Sequence, residues 1–432
     1  MQTITIEPLR WQDDPCCITI QADDSRLEAY YQVTCPGSVE TICCGRPVEE
    51  LPRIVPLLAP SQHLTAALAL DRLFQVDPPE LARNMRSALL QAQYCTAHLR
   101  KIYFLMTGVQ DPFADLRSTG KGVSRGAVPG TILGKIMHHC ALAQEAEDML
   151  GGRHDHPLTA VAGGVTRYLR QEHFERLAEI CETMLPFSLE LAELLRTRFL
   201  CDQGMLSPWR DFDLPTLPGL YLSNDGNVSF TGTAKNGARD FSADRTGDAI
   251  GLRHEAWTYQ PFAYFEENGW QGLDQPRAFF HVGPLARFNA GHEAATPKAE
   301  EERQRMTACV GTPPVFKLTA AFGAMAIELI QAVETLSSLS TVEKLAGPAL
   351  RTIPEHKTES TWAALETPRG LTWHQYRVDD AGIVQDVKII DSHAANNALK
   401  CMLVRQLVNG PPEREEERAT LGENASVALL PF

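Results

Sequence analysis

No stretch of this chain approaches 18 consecutive apolar residues, so no transmembrane helix and no membrane insertion is expected. The opening residues, Met1-Gln2-Thr3-Ile4-Thr5-Ile6-Glu7, lack a basic segment followed by an apolar run, so a secretory leader is not expected either. Basic residues are the minority: Lys and Arg number 40 against 54 Asp and Glu, a formal net charge of −14. With no basic cluster to set against a phosphate backbone, nucleic-acid binding is not expected. The C-x-x-C spacing is absent, which argues against a zinc ribbon or an iron–sulfur loop. The eleven cysteines are an odd count and, with no export signal, read as reduced thiols in a cytoplasmic protein. Two adjacent pairs, Cys16-Cys17 and Cys43-Cys44, would point to opposite faces of a strand and so do not converge on one ion. Internal repeats and low-complexity tracts are also missing.

What is present is ordinary globular material. The 432 residues are 44% hydrophobic and 22% charged, enough apolar surface for two or three packed lobes. Residues 3–9, 16–22 and 27–35 are rich in Thr, Ile, Val and Tyr, with turn chemistry at Asp23-Asp24-Ser25, and read as strands. From residue 48 the period changes. Leu64, Ala67, Leu68 and Leu73 mark a helix, which Pro78-Pro79 ends while opening the next. That next helix, over residues 80–106, carries Leu81, Met85, Leu89 and Ala92 at helical spacing, and its wide apolar surface suits a buried bundle. Further helices are expected over 131–150, 171–200 (interrupted near Pro186), 316–339 and 394–408. Residues 201–300 turn to Pro, Gly, Asp and aromatics, with short strands at 219–222 and 227–231. Residues 372–390 read as two strands around Asp379-Asp380-Ala381-Gly382, and 411–418 as a charged, solvated stretch.

The fold class expected is therefore α+β and predominantly helical. It is a long-helix bundle with small antiparallel sheets at the N-terminus and in the 201–300 and 372–390 regions. Four units are implied: a small N-terminal sheet over 1–47, a helical bundle over 48–200, an irregular β lobe over 201–310, and C-terminal helices with a hairpin over 311–432 packed into the bundle.

Five colinear segments carry a resemblance. Residues 53–63, Arg-Ile-Val-Pro-Leu-Leu-Ala-Pro-Ser-Gln-His, stand against R-x-C-G-x-C-x-x-x-x-H. Residues 151–165 stand against G-G-x-x-x-H-P-x-x-x-x-x-G-G-V. Residues 282–289, Val-Gly-Pro-Leu-Ala-Arg-Phe-Asn, are close to a family signature. Residues 366–376, Glu-Thr-Pro-Arg-Gly-Leu-Thr-Trp-His-Gln-Tyr, stand against E-A-P-R-G-x-x-x-H-H-Y, and Asn396-Asn397 against T-x-x-N-N. Together they resemble the large subunit of nickel–iron hydrogenases, and most of all its soluble cytoplasmic branch. The resemblance covers nearly the whole chain and implies a long-helix bundle flanked by small sheets.

The departures from that family bear on function. In the family, four cysteines hold the nickel and two of them bridge to iron, because such a centre needs soft thiolates. Val55 and Leu58 occupy the first pair's positions. The second pair belongs to a D-P-C-x-x-C-x-x-H element, which would begin about where Val427-Ala428-Leu429-Leu430-Pro431-Phe432 stands. Trp11-Gln12-Asp13 replaces R-I-E-G-H and its proton-relay glutamate. The resemblance with these losses implies a divergent paralogue without catalytic residues or metal ligands, acting as an assembly scaffold or a structural subunit. No resident cofactor is expected, apart from transient holding of an iron fragment carrying cyanide and carbon monoxide. Implied partners are an iron–sulfur small subunit or hydrogenase maturation proteins. The rival reading is an oxidoreductase subunit with a cleft for an electron carrier such as a quinone, or a non-standard metal site, for which Cys43 and Cys44 are nearest in sequence to the lost pair.

The family positions of His63, Glu366, Pro368, Arg369 and His374 imply a vestigial pocket, and those of His156, Gly163 and Gly164 a partner-facing side. Each has a plainer alternative. Arg369 could tie its loop to Glu366, since guanidinium suits carboxylate pairing. A lone histidine such as His63 at a helix start is commonly a packing or hydrogen-bonding residue. His154-Asp155-His156 lacks a third ligand, and His138-His139 reads as a helix-surface pair. Trp257, Tyr259 and Trp270 read as core aromatics.

Overall fold

The computed structural model describes residues 2–7, 15–22, 27–34, 39–107, 130–200, 204, 206, 209, 212–223, 227–231, 241–242, 249–408 and 414–432. β1 (Gln2–Ile6), β2 (Cys16–Ala22) and β3 (Leu27–Val33) form an antiparallel sheet in that order, with Ile4 opposite Ile20 and Ile18 opposite Tyr31. The strand period buries Cys16, Ile18 and Ile20 and turns Cys17 and Thr19 to the other face. There Thr19 and Cys17 both hydrogen-bond Gln32.

Helices α1 (Gln62–Leu73), α2 (Glu80–Thr107), α3 (Gly130–Gly151) and α4 (Gln171–Leu194) follow. A short hairpin of β4 (Ala160–Val161) and β5 (Gly164–Val165) lies between α3 and α4. Residues 195–200 continue α4 as a wider π-helical turn. The region after it holds two separate small sheets. One is β6 (Gly219–Leu222), β7 (Asn227–Thr231) and β8 (Phe241–Ser242); the other is β9 (Ile250–Arg253) paired with β10 (Phe262–Phe265). Then come α5 (Pro284–Asn289), α6 (Pro297–Val310) and α7 (Leu318–Leu339). A last antiparallel sheet of β11 (Ser360–Thr367), β12 (Gly370–Val378) and β13 (Val384–Ile390) precedes α8 (Ser392–Leu407) and α9 (Glu415–Leu429). The architecture is α+β and predominantly helical, as expected.

Helix α7 forms the centre, packed on α2, α4, α5 and α6. Its length and composition would suit a membrane span, yet 78% of its apolar window is buried inside the protein, so its apolarity is that of a core helix. A second core joins Val48, Leu51 and Val55 to α1 and to Tyr376 and Ile389 of the last sheet. A third gathers Leu220, Phe280, Leu371, Trp373 and Ile390.

Three elements differ from the sequence reading. Helix α6 is too rich in charge to show a core stripe, and only Ala299, Glu302, Met306 and Val310 are buried. Strand β11 carries no clean alternation, because it is covered on parts of both faces. The charged stretch from residue 415 opens α9, whose later residues Ala425, Ala428 and Leu429 enter the core. Tyr259 is 58% exposed and is no core aromatic, whereas Trp257 and Trp270 pack against the main core.

Candidate functional site

The segment at 51–63 makes two tight helical turns, Leu51–Ile54 and Val55–Leu57, each with a proline in its first turn. Val55 is fully buried and Leu58 packs against the same apolar cluster, so both positions are core and neither offers an electron pair. His63 Nδ1 lies 2.6 Å from the Pro52 carbonyl, while its Nε2 accepts from the Ala160 amide at 2.9 Å. That pattern requires the proton on Nδ1 and ties this segment to the β4–β5 loop. Burial holds the His63 pKa at about 4, so the ring is neutral.

His374 is likewise neutral and structural. Its Nε2 donates to Gln62 Oε1 at 2.7 Å, its Nδ1 meets the Tyr376 hydroxyl at 2.7 Å, and Thr372 adds a bond to the same Gln62 oxygen. Glu366 is held by the Leu222 amide at 2.8 Å and by Arg287 at 2.6 Å. Arg287 also takes both oxygens of Glu328, whose remaining contact is His98 at 2.8 Å. Burial pushes Glu366 up in pKa; burial would do the same to Glu328, but Arg287 and His98 hold it at about 2. His63, Glu366 and His374 each spend their polar atoms on partners within the fold, and none of the three lines the cavity at Arg369.

Pro368 and Arg369 form the two-residue turn between β11 and β12, where Thr367 faces Gly370. Gly370 adopts φ +139°, and a side chain there would sit 2.8 Å from the Gly283 amide nitrogen. Only glycine allows this approach. Asn396 clamps the same loop, accepting from the Val282 amide at 2.9 Å and donating to its carbonyl at 3.2 Å. Arg369 is thereby aimed into a cavity of about 130 Å³, with Nη1 2.7 Å from His393 Nε2.

The rest of the cavity wall comes largely from one stripe of α2, in which Gln93, Thr96, Arg100 and Phe104 recur every three or four residues. Glu147 of α3 faces this stripe and accepts a bond from Thr96. Burial pushes its pKa up to about 8. Lys101 donates to the Pro431 carbonyl at 3.2 Å, and Lys400 lies over the Tyr31 ring. Ser61 and Phe432 complete the enclosure. The α2 stripe, Glu147 and Lys400 belong to none of the motifs; the one sequence signal is polar side chains at 93, 96 and 100 on a helix whose same face is otherwise apolar.

Of the remaining candidates, His154 and Asp155 also line this cavity. His154 is tied to Asp148 at 3.0 Å and Asp155 at 3.3 Å, and His156 to the Arg53 carbonyl at 2.7 Å. Gly163 and Gly164 are buried against residues 350–352, where a side chain on either would run into a carbonyl. Asp71 accepts from the Gly163 amide at 2.7 Å and pairs with Arg86, which fixes that turn. His139 is not a surface residue: it stacks on Phe187 at 3.8 Å. Cys43 is buried, with its pKa pushed up to about 12, and Cys44 is exposed. Trp11, Gln12 and Asp13 lie outside the described residues.

The fold, from the N-terminal sheet through the central bundle to the Arg369 turn, is that of the hydrogenase large subunits. It matches an NAD+-reducing nickel–iron hydrogenase solved in its H2-reduced state at a TM-score of 0.81, over 100% of both chains and with 22% identity. No family model matches the chain. It is 27% identical over 421 residues to an iron-sulfur subunit of the F420-non-reducing hydrogenase of Archaeoglobus profundus, covering 92% of this chain and 86% of that protein. It is 24% identical over 434 residues to the beta subunit of the NAD-reducing hydrogenase HoxS of Cupriavidus necator, with 94% and 87% covered.

These likenesses correct the expectation of no resident cofactor. The relatives are named as hydrogenase subunits and the solved neighbour is a nickel–iron hydrogenase, so the family this chain resembles is one that carries a nickel–iron site, against the expectation of none. The donor set is a separate matter. Among the described residues, no group of three or more His, Cys, Asp or Glu is placed to hold a metal ion, and Val55 and Leu58 are apolar core. A centre held by four thiolates does not fit these described residues.

Proposed function

We propose that this chain is a large-subunit-like component of a hydrogenase-type redox complex, serving as a structural subunit or an assembly scaffold. Splitting hydrogen at a four-thiolate centre is not its task. The observation that supports this reading is Val55, a fully buried member of an apolar core at a position where the resembling family supplies a thiolate. Its partners under this reading are an iron–sulfur small subunit or hydrogenase maturation proteins. The face offered to them comprises the N-terminal sheet, residues 48–71 and the 153–164 loop. Ile42 and Leu57, either side of residue 48, are 47% and 65% exposed, and large apolar side chains in solvent suit a contact surface.

The test is anaerobic purification from the native host, followed by reconstitution with the small subunit recovered. The expected result is co-purification of an iron–sulfur or maturation protein and no hydrogen-dependent dye reduction above background by this chain. Hydrogen-dependent dye reduction at a nickel content near one per chain would overturn the reading.

A further inference from the structure

We propose that the cavity between α2, α3 and the β11–β12 turn binds a small hydroxycarboxylate. The carboxylate head lies toward Arg100 and Arg369, and the carbon body toward Phe104 and Phe432. The first support is charge. Arg100, Lys101, Arg369 and Lys400 all line this one cavity in a chain of net charge −14. The two carboxyl side chains beside them are Glu147 and Asp155. Asp155 is largely exposed and lies 3.9 Å from Arg100. Glu147 is buried, and with its pKa near 8 it carries a proton at neutral pH. The wall is therefore cationic in balance, although its cations also hold contacts of their own: Arg100 with Asp155, Lys101 with Pro431, Arg369 with His393 and Lys400 with Tyr31.

The second support is independent of charge. Gln93 lines the cavity and is 5% exposed, yet neither its amide nitrogen nor its amide oxygen has a hydrogen-bond partner among the described residues. A buried amide left unmade on both sides is costly, and such groups mark an absent partner. Nε2 is a donor and Oε1 an acceptor. A carboxylate satisfies the first and a hydroxyl the second, so a molecule bearing both matches Gln93 fully. Phe104, Leu430 and Phe432 favour a carbon skeleton over an inorganic oxyanion. This inference does not rest on the redox-complex reading, because it is measured on the isolated chain.

The experiment is titration calorimetry of the full chain with D- and L-lactate, propionate and phosphate. Propionate has the same skeleton without the hydroxyl. One lactate enantiomer is expected to bind saturably at one per chain, with propionate at least tenfold weaker, since it leaves the Gln93 oxygen unmade. Gln93→Leu should weaken lactate at least tenfold and propionate by a smaller factor, because propionate loses only the bond from Nε2 to its carboxylate. Arg100→Met should weaken both, with near-ultraviolet circular dichroism confirming the fold. Absence of saturable binding by the folded wild-type chain would overturn the proposal and show that the chain's own groups satisfy these cations. Tighter phosphate than lactate binding would make it an inorganic oxyanion site instead. Unchanged lactate binding by Gln93→Leu would also sink it.

Discussion

Arg287 grips Glu328 through two parallel bonds, Nε to Oε1 at 2.6 Å and Nη2 to Oε2 at 2.8 Å. The same guanidinium reaches Glu366 with Nη1, so one cation on α5 ties central helix α7 to strand β11. Arg287→Met would leave two largely buried carboxyl groups without their cation. Breaking such a pair costs about 3–5 kcal/mol, because the remaining charge stays desolvated. Urea denaturation should show a loss of that size; a loss under about 1 kcal/mol would mean that water or another cation replaces Arg287.

His281 is 2% exposed, and neither ring nitrogen has a partner among the described residues. Burial holds its pKa at about 4, against an ordinary value of 6.5. The unfolded chain therefore binds a proton below pH 6.5 that the folded chain refuses until about pH 4. The stability contribution is present above pH 6.5 and lost as pH falls, by about 1.4 kcal/mol per unit. His281→Leu should change stability little at pH 7, since it removes unmade polar atoms from an apolar site. Relative to wild type it should gain steadily between pH 6.5 and 4. Parallel stability curves for the two proteins would refute this.

Glu147 gives the opposite slope. Its folded pKa, about 8, lies above the ordinary 4.5, so the folded state keeps a proton that the unfolded state gives up. Its stabilising contribution is complete below about pH 4.5 and declines as pH rises to 8, again by about 1.4 kcal/mol per unit. Glu147→Gln should lack this decline and be the more stable protein at about pH 8.5. Unfolding free energies of both proteins between about pH 5 and 9 check the sign, and a difference constant with pH would count against a buried, protonated Glu147.

Val55→Cys with Leu58→Cys places two thiolates where the resembling family has its first pair. Two donors leave nickel short of its ligands, so bound nickel should be sub-stoichiometric and removable by a chelator. Stability should fall slightly through the lost apolar volume at Val55. Metal analysis after dialysis against chelator decides the matter; one tightly held nickel per chain would show that further ligands complete a site.

Much of this protein was legible before folding. The strands at 16–22, 219–222 and 227–231 and the long helices follow from local periodicity, which needs no partner to be read. That residues 55 and 58 are Val and Leu, neither of which can supply a thiolate, is likewise a matter of residue identity. Where side chains meet is not. His63 and His374 stand in motifs that suggest a pocket, yet each spends both ring nitrogens on a neighbour brought in by folding. Gly163 and Gly164 look like loop residues and turn out to face a buried carbonyl row. The cavity joins Gln93, Glu147, Arg369 and Lys400 from four distant segments, with no shared spacing to announce it. Sequence determined which elements form, because propensity and pattern act over a few residues. The tertiary structure alone decided which polar groups end up paired, buried or left facing a cavity, because that depends on what distant parts of the chain bring within hydrogen-bond reach.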